Sequence, residues 1–235
     1  MDNIMITLPL LILFLPLVSF IILIFFGKKL PRQGDWVAVG SIVATFFFAL
    51  FLFIQMILEY DPGFSHGASF SWIDLDAFKI DLGILVDNVT VVMLLIVTLV
   101  SSCTHIFSLK YMEGDIRYNR YYAYLGLFTF SMNGIVLADN LISMYMSWEL
   151  VGLSSYLLIG HWFEMDTAAD AGKKAFLTNR VGDIGFFIGI MLIYSSVGSF
   201  LFSDVFVGVE TGKLTGLTLT FAGLGIFLGS MGQSH

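Results

Sequence analysis

Charge is what this sequence has least of. Only 12% of its 235 residues are Asp, Glu, Lys or Arg, about half the ~25% of an ordinary soluble domain. With 57% hydrophobic and 16% aromatic residues and a mean hydropathy of +0.89, that shortage excludes a water-soluble fold. Basic charge is scarcer still: 11 Lys and Arg face 18 Asp and Glu, a formal net charge of -7. No basic stripe exists to neutralise phosphate, which excludes nucleic acid as a partner. A single cysteine, Cys103, sits in an apolar stretch, so an internal disulfide and a multi-cysteine metal or iron-sulfur cluster are excluded; it reads as lipid-buried packing. The start, Met1-Asp2-Asn3, lacks the basic flank of a signal peptide and precedes an apolar run longer than a signal core, which indicates a retained first helix. Repeats and linker-like stretches are also missing, so residues 1–235 read as a single domain.

What the chain does have is apolar runs of about 20 residues, the length that spans a bilayer. Seven candidates emerge: Ile4 to Phe26, Trp36 to Leu58, Asp87 to Phe107, Tyr121 to Ala138, Leu141 to His161, Lys174 to Tyr194 and Leu217 to Gly232. The fold class expected is therefore all-α, a polytopic transmembrane helix bundle. The seventh span is the least complete, and the absence of a closing polar tail reads as part of a longer protein. Lys28, Lys29, Arg32, Lys110, Arg117, Arg120, Lys173 and Lys174 follow spans 1, 3 and 5, whereas the alternate connections hold only Lys79 and Lys213. The positive-inside rule then puts the N-terminus outside, with the long connection Glu59 to Val86. There, Ile73, Leu75 and Ala77 alternate with Asp74 and Asp76, and the apolar parity switches at Ala77-Phe78. A small outer β-hairpin or bulge fits this pattern, and a solvated loop is the alternative.

Most ionisable groups sit at span ends, where they reach water; Glu149, Arg180 and Asp183 do not. At 1.5 Å rise per residue all three fall near one depth, roughly 9 to 14 Å into their spans. An ionised side chain there costs at least about 2.5–3.5 kcal/mol unless paired or hydrated. Arg180 and Asp183, at i and i+3, can pair along one helix, while Glu149 has no partner within its own span and looks to Arg180 or a later helix. Two readings stay open: a proton relay, in which a moving cation loads and unloads a carboxylate, and a static buried salt bridge. Tyr145, Ser154, Ser155, Tyr156, Thr178 and Asn179 supply polar company. His105 and His161, near the inner ends of spans 3 and 5, fit proton carriers, haem ligands or plain interfacial residues. Gly185 with Gly189, and Gly225 with Gly229, form small-xxx-small pairs that allow close helix approach. Asn88-Val89-Thr90 is formally a glycosylation sequon against span 3.

The run from Met146 through Trp148-Glu149-Leu150-Val151-Gly152 to Leu158-Ile159-Gly160 resembles the antiporter-like L subunit of NADH-quinone oxidoreductase, respiratory complex I, whose mitochondrial counterpart is chain 5. Val136 to Leu141, Lys174-Ala175-Phe176, Asn179 to Gly185, and His105 before Tyr111-Met112 agree with it. The resemblance implies a proton-translocating subunit of the bacterial inner membrane with no redox cofactor or metal of its own. Its partners would be other complex I membrane subunits, lipid and protons, with NAD, flavin and iron-sulfur clusters in partner subunits. It implies a proton site at Glu149 paired with a lysine on a broken seventh helix; the residues of this chain point to Glu149 as the exchangeable proton site, Arg180 and Asp183 as the charge pair that biases it, and His105 as a further relay. The sequence departs where the family carries lysine in Gly-x-x-Gly-Lys-Ser: Gln233 stands there, in Gly229-Ser230-Met231-Gly232-Gln233-Ser234. The large subunit of a multi-subunit Na⁺/H⁺ antiporter, and an inert membrane scaffold, are the competing readings.

Overall fold

The computed structural model describes residues 2–75 and 78–233, apart from the side chains of residues 2, 3 and 74–80. The described chain runs α1 (Asp2–Phe26), α2 (Asp35–Leu58), β1 (Ser65–Leu75), β2 (Phe78–Asp87), α3 (Asn88–Tyr111), α4 (Tyr118–Leu137), α5 (Leu141–Ile159), α6 (Asp166–Val197), α7 (Phe202–Glu210) and α8 (Gly216–Gln233). All seven expected spans are helices, and the alternation after Glu59 forms a two-stranded hairpin, β1 beside β2. The expected parity switch at Ala77-Phe78 involves residue 77 and side chains that lie outside the described residues.

Five stretches are long and apolar enough to cross a membrane: Ile4–Lys29, Pro31–Leu58, Asn88–Tyr111, Leu141–Ile159 and Asp166–Val197. The chain is a multi-pass membrane protein. The two remaining expected spans, α4 and α8, have 20 and 18 residues, about 30 and 27 Å of helix, close to the thickness of a hydrocarbon core. Leu177, Val181, Ile184 and Ile188 stand exposed along α6, a face suited to acyl chains rather than water.

Two features differ from expectation. Helix α6 starts at Asp166, eight residues before Lys174, because polar Asp166-Thr167-Ala168-Ala169-Asp170-Ala171 is alanine-rich and carries an acid in its first turn; both favour helix without adding apolar length. Helix α7, nine residues long, is too short for a search based on membrane-spanning length.

The chain forms two compact units, Met1–Ala68 with Leu85–Leu137, and Ser69–Ile84 with Ala138–His235. In the first, α1 packs on α2 and α4, and α3 on α2 and α4, around Leu23, Ala38, Met112, Tyr118 and Tyr122. Pro16 lies inside α1, so no N–H reaches the carbonyl of Ile12 four residues back. Asn133 of α4 replaces it, its Nδ2 donating to Ile12 O at 3.1 Å with the residue wholly buried. At the other end of α1, Arg32, Gln33 and Gly34 all take positive φ (53°, 54° and 80°). This tight turn delivers Asp35 to the start of α2, where it pairs with Arg32 at 2.8 Å and accepts from Tyr118 Oη at 3.2 Å.

The second unit rests on α6, which packs against α5, α7 and α8. The two expected glycine pairs meet in one interface: a Cβ on Gly189 would lie 2.7 Å from Ala222 O, and one on Gly225 would lie 2.7 Å from Gly185 O. Backbone touches backbone there, leaving α5 and its charges to pack on another part of α6.

Candidate functional site

Helix α5 is aimed by its first residues. Asn140 caps it, its Oδ1 accepting from Ser143 N–H at 2.8 Å, while its Nδ2 donates to Asp81 O at 2.9 Å and Asp139 Oδ1 at 2.6 Å. Ala138 bridges to Ile84 and Asn140 to Leu201, so short pairings on both sides pin the entry to the helix. Two turns on, the ring of Phe186 from α6 is met edge-on by Tyr145 and by Trp148, each with centroids 5.5 Å away and planes at 89°. These contacts set the direction of both polar tips. Tyr145 Oη donates to Glu149 Oε1 at 2.7 Å, and Trp148 Nε1 donates to Asp183 Oδ1 at 3.1 Å.

Three of the four residues named from the sequence cluster in the second unit, and the fourth, His105, belongs to the first. Glu149 Oε2 accepts from Arg180 Nη1 in an ion pair between α5 and α6, and the guanidinium lies 4.8 Å from the centre of the Phe176 ring, a cation–π contact. The local Arg180–Asp183 pairing expected from their spacing is replaced: Arg180 turns to Glu149, and Asp183, 3% exposed, takes the indole N–H. The reason is geometric, since a neighbouring helix offers each group a partner that local spacing cannot reveal. The pair is not sealed: the Arg180 side chain is 39% accessible and that of Glu149 21%.

His105 belongs to the first unit. It is fully buried in α3, with Nδ1 2.8 Å from Ser101 O and its own carbonyl accepting from Tyr122 Oη at 3.0 Å. A carbonyl only accepts, so Nδ1 carries a proton, and Nε2 is buried without a hydrogen-bond partner among the described residues. Ser101 and Thr129 hydroxyls bond to each other at 2.6 Å beside it. His161 follows α5, 5% exposed, with its ring 5.8 Å from that of Trp162.

Gln233, at the end of α8, faces α5. Its Nε2 lies 3.3 Å from where a Cβ on Gly152 would sit, and Asn179 Nδ2 lies 3.7 Å from the same point. Gly152 is three residues past Glu149, hence on the same helix face. The Gln233 Nε2 is buried and has no hydrogen-bond partner among the described residues. A neutral amide thus occupies the layer beside the carboxylate, and the cation there is Arg180.

Two family models match the chain: NADH-ubiquinone oxidoreductase (complex I) chain 5 N-terminus over residues 72–122, and the NADH:quinone oxidoreductase/Mrp antiporter transmembrane family over residues 138–235, which contains the whole cluster. NADH-quinone oxidoreductase subunit L of Mycobacterium tuberculosis is 36% identical over 94% of this chain and 35% of its own length. The chain belongs to the antiporter-like subunit L and chain 5 family. NADH-ubiquinone oxidoreductase chain 5 of Chondrus crispus is 40% identical over 96% of this chain and 35% of its own, so the chain spans about a third of such family members. The fold is shared with the Mrp complex of Dietzia sp. DQ12-45-1b, TM-score 0.78 and 19% identity, over 96% of this chain and 23% of that one. It is shared equally with the archaeal membrane-bound sulfane sulfur reductase, TM-score 0.78 and 17% identity, over 94% and 43%. Within this subunit L and chain 5 fold, the residue that reading of the sequence missed is Trp148. Its signal was slight: a tryptophan next to an acid at membrane depth, whose N–H needs a partner when buried.

Proposed function

We propose that this chain is part of a proton-translocating membrane subunit of NADH-quinone oxidoreductase. Electron transfer from NADH to quinone, with the NAD, flavin and iron-sulfur cofactors, takes place in partner subunits, and this chain handles protons. The observation that carries the reading is the Glu149–Arg180 ion pair between α5 and α6, two helices apolar enough to span a membrane. A nearby cation favours the ionised carboxylate and low-dielectric surroundings favour the neutral one, so displacement of Arg180 is the event that lets Glu149 take up a proton. Tyr145, which can donate or accept, is placed to pass that proton on. Asp183 is the second carboxylate within reach of Arg180, and His105 with its open Nε2 is the relay of the other unit.

On this reading the protein sits in a bacterial inner membrane, and the eight-to-two division of basic residues between alternate connections supports an N-terminus outside. Its partners are the other membrane subunits of the complex. The Na⁺/H⁺ antiporter reading is favoured by one finding, the transmembrane family match that names both complex I and the Mrp antiporter. Sealed membrane vesicles separate the two. NADH should acidify or alkalinise the lumen without sodium; a pH change driven by a sodium gradient, with none on NADH addition, would assign the antiporter instead.

A further inference from the structure

The Glu149–Arg180 pair has a competitor beside it. Asp183 lies three residues beyond Arg180 on the same helix, within ordinary reach of that guanidinium, and the two charges interact electrostatically. A carboxylate only 3% exposed needs donors. The donor it has from α5 is Trp148 Nε1, at 3.1 Å. We infer that Trp148 is a positioning residue which holds Asp183 and thereby keeps Arg180 committed to Glu149.

The choice of side chain suits that task. An indole N–H donates and cannot accept, and it surrenders no proton near neutral pH, so it ties Asp183 without joining the proton traffic. The phenol on Glu149 is different, since Tyr145 Oη exchanges donor and acceptor roles. Phe186, 1% exposed, backs both rings edge-on, so the indole cannot swing away without disturbing a packed core. Without the N–H, Asp183 must draw on Arg180, and Glu149 loses part of its cation. The inference rests on the site assignment above and adds a residue to it, one that touches the reacting carboxylate only through Asp183 and Arg180.

The test is infrared spectroscopy of the intact, lipid-reconstituted membrane assembly that contains this chain. The protonated-carboxyl band of Glu149 is identified as the band lost in Glu149→Gln. Trp148→Phe keeps an aromatic edge on Phe186 but removes the donor, and it should strengthen that band about threefold or more at fixed pH. Adding Asp183→Asn to Trp148→Phe removes the competitor and should return the band to its parental intensity. A ring that merely fills space would give the same spectrum with or without Asp183→Asn. An unchanged band in Trp148→Phe, or a change that persists in the double variant, overturns the inference. Should Trp148→Phe fail to accumulate, Asp183→Asn alone decides: Arg180 is already committed, so the Glu149 band should hold, and a weaker band would mean that the guanidinium had been shared. Proton uptake is not part of this readout. Loss of the relay reading through an active Glu149→Gln variant would therefore leave the spectroscopic result standing.

Discussion

Replacing Gly225 by alanine should loosen the α6–α8 interface, and the structure sets the size of the effect. The added Cβ would lie 2.7 Å from Gly185 O, 3.0 Å from Gly189 Cα and 3.1 Å from Gly189 N. Carbon–oxygen contacts are comfortable at about 3.3–3.6 Å, so the helices must separate by roughly 0.6 Å or more. The obstacles are backbone atoms, which do not turn aside as a flexible side chain does. Overpacking of this kind costs about 1–3 kcal/mol, while alanine in place of a helical glycine returns about 0.5–1 kcal/mol. Gly223, two residues earlier on the same helix, has nothing within 4 Å of a built Cβ, so Gly223→Ala should keep only the gain. The helix gain is common to both variants, so they should differ by the overpacking cost itself, about 1–3 kcal/mol, at least about 2 °C in Tm for a chain of this size. Thermal unfolding of the detergent-solubilised protein measures the gap. Equal melting temperatures would show that backbone contact between α6 and α8 does not set their separation.

Asn133→Leu should destabilise the first unit by about 1–3 kcal/mol, because the buried Ile12 carbonyl loses the donor that replaces its helical one; in a Pro16→Ala background the helix supplies its own N–H and the loss should shrink, a difference that a double-mutant cycle in mild denaturant reads directly. Asp139, between α4 and α5, is held above the ordinary carboxylate range, chiefly by burial and also by Asp81, against the opposing effect of bonds from Asn140 and the Gly83 backbone. A carboxylate raised in the folded state favours folding most when protonated, so attachment of the hairpin here should be firmest at low pH and weaken as pH rises through that raised range. Hydrogen exchange at Gly83 should show this slope, and Asp139→Asn should flatten it; a slope that survives would assign it to another group.

Much of the fold could be read from composition alone, since a bilayer allows few solutions. Apolar length located every long helix, and period-2 alternation located the hairpin. What escaped were elements whose signal is not apolar length: the polar, alanine-rich first turns of α6, and α7. At the site, Glu149, Arg180 and Asp183 stood out because charge is expensive at their depth, but spacing along one helix favoured Arg180 with Asp183. Only the approach of α5 to α6 assigns Arg180 to Glu149 and the Trp148 indole to Asp183. Pro16 leaves the Ile12 carbonyl without its helical donor, and which asparagine answers it follows from α4 crossing α1, not from any local pattern.

The relay is tested most directly by the ratio of protons moved to NADH oxidised in sealed vesicles that carry Glu149→Gln, with assembly of the complex checked in the same membranes. Glutamine keeps the side chain's shape but cannot exchange a proton. The ratio should fall while NADH oxidation in uncoupled vesicles continues. An unchanged ratio in a fully assembled complex would leave Glu149 and Arg180 as a structural brace between two membrane helices.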